Sequence, residues 1–93
     1  RKDSIKMDVD NTQYFDKHLV QKEKILSMLI DIYTSLREKG YEPHDQVVGY
    51  LLSGDPVYIT SYNGARGHIQ EYSRDEIIEV LLKSFLSQAG TVE

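Results

Sequence analysis

The strongest constraint in this 93-residue chain is an apolar period between Ile25 and Leu36. Ile25, Leu26, Leu29, Ile32, Tyr33 and Leu36 recur at spacings of three and four, which places them on one face of an α-helix. Met28 and Ile30 widen that face, and the reading gives a first helix over about 18–39. Lys39 and Gly40 end it, a cation in the last turn followed by a residue free to take a left-handed backbone. One such face must find a partner inside a chain long enough for only one small domain, whose self-sufficient core is thin.

The remaining segments read as short helices. Pro43 suits a first helical turn, and Gly54 followed by Asp55-Pro56 forbids continuation, so a second helix covers about 43–53. Its apolar residues Val47, Val48, Tyr50, Leu51 and Leu52 surround most of its circumference. A helix apolar nearly all round is buried on more than one side. In so small a chain this favours a subunit interface through these five residues, and Gly49 in mid-helix suits the close approach of another backbone. Residues 55–63 read as an irregular or single-turn segment, because the strand-like run 57–60 has no partner. A third helix is expected over 64–72, capped by Asn63, with Ile69 and Tyr72 inward. Ser73-Arg74-Asp75-Glu76 has the form of a capping box opening a fourth helix, 74–88. That helix carries an apolar stripe of Ile77, Ile78, Leu81, Leu82, Phe85 and Leu86. The fold class is therefore all-α: a compact domain of about four helices over 17–89, associating as a homodimer.

The ends differ from this body. Residues 1–16 are polar and lack an apolar period, which reads as a mobile arm, and residues 90–93 as a frayed terminus. Arg1 to Lys6 is consistent with a foreign extension before a natural start at Met7.

Charge and composition narrow the function. There are 11 Lys and Arg against 15 Asp and Glu, a net of −4. Residues 1–44 balance, and the stretch from Asp45 onward holds Arg66, Arg74 and Lys83 against seven acids. No basic cluster of the kind that displaces counterions from nucleic acid is present, since Asp16 and Glu23 interleave Lys17, Lys22 and Lys24. No apolar run is long enough to span a bilayer. The absence of cysteine removes disulfides, thiolate metal sites and a cysteine nucleophile, and it suits a cytoplasmic setting. His18, His44 and His68 form no i,i+4 pair, and His68 with Glu71 supplies two ligands where a metal site needs more. Ser53, His44 and Asp55 make a triad only on paper, without a nucleophile elbow. No catalytic residue, cofactor or metal is expected.

Three features carry interaction chemistry. Ser53-Gly54-Asp55-Pro56 reads first as helix termination followed by a turn, and alternatively as an exposed loop for a partner. Asn63-Gly64-Ala65-Arg66-Gly67 offers backbone N–H groups and the Arg66 guanidinium to an anion or nucleotide, but lacks the Lys-Ser/Thr ending of a phosphate-binding loop. Five of the seven tyrosines lie within 41–72, a density found in packed cores and at wet interfaces alike. On the arm, Thr12 stands in Asp10-Asn-Thr-Gln-Tyr-Phe-Asp16, where a hydroxyl is open to a kinase and a phosphate meets three aspartates within 8–16.

The combination Tyr33-Thr-Ser-Leu36, Lys39-Gly-Tyr41, Pro43, Gln46-Val-Val-Gly-Tyr50, Leu52-Ser-Gly-Asp-Pro56, Tyr58-Ile59, Ala65-Arg66 and Arg74-Asp-Glu-Ile77 closely resembles the IreB family, over roughly residues 10–88. These are small regulatory phosphoproteins of Gram-positive bacteria. The resemblance implies a mainly helical homodimer with mobile ends. It further implies a cytoplasmic substrate of a transmembrane Ser/Thr kinase bearing extracellular PASTA domains and of its cognate phosphatase. Such a protein acts through a downstream effector as a negative regulator of the cell-envelope stress response and cephalosporin resistance. In the family, two threonines three residues apart are modified. Thr12 matches the second, and Val9 stands at the first, where no phosphate can be placed.

Overall fold

The computed structural model describes residues 8–90, the first twelve of these as backbone only. It contains four α-helices: α1 (Asp8–Glu38), α2 (Pro43–Ser53), α3 (Ala65–Ile69) and α4 (Arg74–Gln88). Two single 3-10 turns, Pro56–Tyr58 and Tyr62–Gly64, join α2 to α3. Helices α2, α3 and α4 all pack on α1.

The face of α1 foreseen from its period is the floor of the core. Ile25, Met28, Leu29, Ile32 and Leu36 are buried, Tyr33 is half-buried, and Leu26 sits at the edge. Ile30 does not belong to that face: it is 66% exposed, because at 100° per residue it points away from Ile32. Onto this floor α2 lowers Val47 and Tyr50, the inter-helix segment Ile59, α3 Ala65 and Ile69, and α4 Ile77.

The helix ends follow local chemistry. Gly40 takes φ 86° after α1, and Tyr41 donates its N–H back to the Leu36 carbonyl at 2.9 Å. Gly54 ends α2 at φ 76°, its N–H bound to the Tyr50 carbonyl at 2.7 Å. Both are the left-handed C′ closure that glycine allows without steric cost. At α4 the Ser73 hydroxyl accepts from the Glu76 N–H at 3.1 Å, and the Glu76 carboxylate accepts from the Ser73 N–H at 3.0 Å. This is a complete capping box.

Three expectations change. The first helix starts at Asp8, not near 18, so residues 8–16 have helical backbone; residues 1–7 of the expected arm, and 91–93, lie outside the described residues. The apolar period stops where the core stops, but a nucleated helix propagates at little cost, and aspartates in the first turn favour its positive end. The third helix is shorter than 64–72, ending at Ile69, with Tyr72 half-buried beyond it. Asn63 does not cap it. Asn63 takes a left-handed backbone itself (φ 57°), and Gly64 (φ 70°) is the residue preceding Ala65. Asparagine tolerates that conformation, which turns the chain sharply into α3. Residues 55–63 are indeed turns, with no strand among the described residues.

Because Ile32 is wholly buried and Ile30 lies on the outer face of the same helix, the two separate packing from propensity. Ile32→Ala is expected to lower the unfolding free energy by about 3 kcal/mol, and Ile30→Ala to change it by less than about 0.5 kcal/mol, as read by urea denaturation.

Candidate interaction surface

The segment from Ser53 to Tyr62 is irregular yet held at nearly every residue. The Ser53 hydroxyl donates to the Gly49 carbonyl (2.8 Å) and accepts from the Asp55 N–H (3.0 Å). Asp55 Oδ1 accepts from the Val57 N–H at 3.0 Å, which opens the first 3-10 turn. Gln46 Nε2 donates to the Tyr58 carbonyl at 2.9 Å, and Thr60 Oγ1 accepts from the Tyr62 N–H at 3.2 Å. Local side chain to backbone bonds of this kind fix a loop that has no ladder to satisfy it.

Arg66 closes the same segment from the far side. Its Nε–H is shared between the Pro56 carbonyl (3.1 Å) and the Ile59 carbonyl (2.8 Å), and the residue is half-buried. Through its Nε–H, Arg66, the residue proposed from sequence for an anion contact, clasps the loop. No spacing in the sequence signals this, since the two carbonyls belong to backbone seven and ten residues earlier. Arg74 has a related role: Nη1 donates to the Leu51 carbonyl at 3.1 Å, and its guanidinium lies over Gly54, where a Cβ would stand 2.7 Å from it. The start of α4 is tied to the end of α2 in this way.

Gly49 is explained inside a single chain. A Cβ there would come within 2.6 Å of the Tyr58 ring, so the close neighbour is an aromatic side chain and not the backbone of another molecule. Of the five α2 residues expected at a subunit interface, Val47 and Tyr50 are spent on the chain's own core. Leu51 is half-buried, while Val48 and Leu52 keep open surface, Leu52 at 81%. Val57, at the tip of the braced loop, is 68% exposed.

Helix α4 adds to that surface. Ile77 is buried and Val80, Ser84 and Leu86 are half-buried, the more covered positions of α4. Ile78, Leu81, Leu82 and Phe85 are all exposed, Phe85 at 63%. The apolar stripe of α4 is therefore wider than the area a single chain covers. Isolated exposed leucines are ordinary, but several at helical spacing form a patch of the kind that marks association.

The polar candidates stay apart. Ser53 and Asp55 are engaged with backbone, and His44 Nδ1 lies 3.3 Å from the Tyr33 hydroxyl, joining α2 to α1. Burial, and next the Glu42 carboxylate, push the Tyr33 hydroxyl above the ordinary tyrosine pKa, so it stays protonated at neutral pH. His68 and Glu71 line an open groove between α1 and α3 together with Glu23, Lys24 and Tyr72. Among the described residues no cluster of three His, Cys, Asp or Glu is placed to hold a metal, and no helix is long and apolar enough to cross a membrane. Thr12 is the fifth residue of α1.

The contact at Gly49 can be isolated by a double-mutant cycle. Gly49→Ala is expected to destabilise the protein by about 1 kcal/mol, since overpacking against Tyr58 outweighs the helix propensity gained. In a Tyr58→Ala background the same change is expected to stabilise by up to about 1 kcal/mol, both read by chemical denaturation.

Helix α2, the braced loop and the start of α3 contain motif residues quoted above, among which Gln46, Gly49, Tyr50, Ser53, Gly54, Asp55 and Arg66 have the packing or hydrogen-bonding roles just described. The model of the IreB regulatory phosphoprotein family matches residues 10–87, which include these positions and Thr12. The chain belongs to the IreB family of regulatory phosphoproteins.

Proposed function

We propose that this protein is a non-enzymatic, cytoplasmic switch whose state is set by phosphorylation of Thr12. The writer is a transmembrane Ser/Thr kinase with extracellular PASTA domains, and a cognate phosphatase reverses the mark. The switch acts as a negative regulator of the envelope stress response and of cephalosporin resistance, through an effector that engages the folded body. The observation that carries this reading is the family match over residues 10–87, a family of regulatory phosphoproteins, with Thr12 inside the matched span. Val9 stands three residues before Thr12, so the switch has a single threonine where the family pattern has two.

The working unit in this proposal is a homodimer. Its support is the apolar surface left open on α2 and α4, where Leu52, Ile78, Leu82 and Phe85 are exposed. Mutual burial of such residues recovers roughly 25 cal/mol per Å2 of apolar area, the ordinary drive for association. The competing reading, an anion- or nucleotide-binding protein built on Asn63 to Gly67, has less support because α3, whose start would present the N–H groups, is only five residues long and its dipole is correspondingly small.

Incubation with the cognate kinase and ATP, followed by mass spectrometric mapping, tests the assignment. Phosphate is expected on Thr12, and Thr12→Ala is expected to lose nearly all incorporation; equal incorporation in that variant overturns the site.

A further inference from the structure

A small pocket opens where α1 passes the turn into α3. Its volume is about 270 Å3, below the roughly 300–1,000 Å3 of sites that enclose a whole small molecule, so it suits a single side chain. Asp31, Thr34 and Ser35 line it from α1 at i, i+3 and i+4, which puts them on one face of that helix. Asn63 and His68 line it from the other wall, and the small Ala65 between them leaves the space unfilled.

The α1 wall is rich in acceptors. A carboxylate such as that of Asp31 accepts hydrogen bonds and donates none. The Thr34 hydroxyl gives its proton to the Ile30 carbonyl at 3.0 Å, which leaves lone pairs for any other partner. Ser35 is only 4% exposed, and its hydroxyl makes no hydrogen bond among the described residues. A buried hydroxyl without a partner costs free energy, and this one borders the pocket. No Lys or Arg lines the pocket. Lys39, one turn beyond Ser35, holds its ammonium 5.1 Å from the centroid of the Tyr62 ring.

The geometry points to a docking site for a lysine side chain of a partner protein, its ammonium received by Asp31, Thr34 and Ser35. An ammonium offers three donors and no acceptor, the complement of three acceptors on one helix face. A protein is the fitting source because the pocket continues past His68, which also lines the open groove of about 510 Å3 toward Met28 and Tyr72. An extended segment that places its lysine in the pocket lays the neighbouring residues in that groove, where Glu23 and Glu71 outnumber Lys24 and favour a basic sequence. The site belongs to the folded body and does not depend on Thr12.

The test titrates the isotope-labelled full chain with the peptide acetyl-Leu-Lys-Leu-amide, with its norleucine counterpart and with n-butylamine, following the amide chemical shifts of Asp31, Ser35, Asn63 and His68. Saturable shifts are expected with the lysine peptide and none with the norleucine peptide, which keeps the aliphatic stem and lacks the ammonium. Ser35→Ala and Asp31→Asn are each expected to weaken the lysine peptide by about three- to tenfold, with the spectrum elsewhere unchanged to show that the fold is kept. An equal response to the norleucine peptide overturns the site. So does undiminished affinity in both variants, or no shift at millimolar peptide. Butylamine binding as tightly as the lysine peptide overturns the assignment to a protein partner.

Discussion

The buried face of α1 between Ile25 and Leu36 is the constraint on which the other elements depend. Helices α2, α3 and α4 are too short to be stable alone, and each acquires stability by setting one or two apolar side chains on that face. Val47 and Tyr50, Ala65 and Ile69, and Ile77 are their respective anchors. The core is correspondingly small. Its members are mostly β-branched or long aliphatic side chains that lose several kcal/mol when truncated, so a change at the centre of α1 is felt by every packed helix.

What lies between α2 and α3 is secured differently. From Ser53 to Tyr62 order comes from hydroxyl, carboxylate, amide and guanidinium groups bound to backbone, each with a modest net contribution and together with few alternatives. A loop held this way keeps its shape while displaying Val57 and the edge of Tyr58. Recognition loops gain from such rigidity because little entropy is lost when a partner engages them. The Ser-Gly-Asp-Pro motif thus combines three local tasks in four residues: a bond back to α2, a left-handed closure and the cap of the next turn.

Local signals were legible in the sequence, and contacts across the chain were not. Pro43, Gly54 and the Ser73–Glu76 box set helix ends through atoms within a few residues, so α2 and α4 lie where the sequence places them. The start of α1 was hidden because periodicity reports burial, and a helix extends beyond its buried stretch. The partners of Gly49 and Arg66 within the chain were not legible for one reason: the Tyr58 ring and the Pro56 and Ile59 carbonyls are brought in by turns whose geometry no composition specifies. The apolar wheel of α2 and the stripe of α4 were visible, but which side of each is covered depends on the angle at which they meet α1.

That division leaves an outward face on α4 and an exposed Leu52 on α2, and the proposed homodimer is the way these are withdrawn from water. Sedimentation equilibrium of the unmodified protein at micromolar concentration tests this most directly. The expected mass is twice the 10.7 kDa of a single chain, falling to that of a single chain in a Leu52→Glu, Leu82→Glu variant that keeps its helical circular dichroism. A parent protein that sediments as a single chain throughout the micromolar range would contradict it.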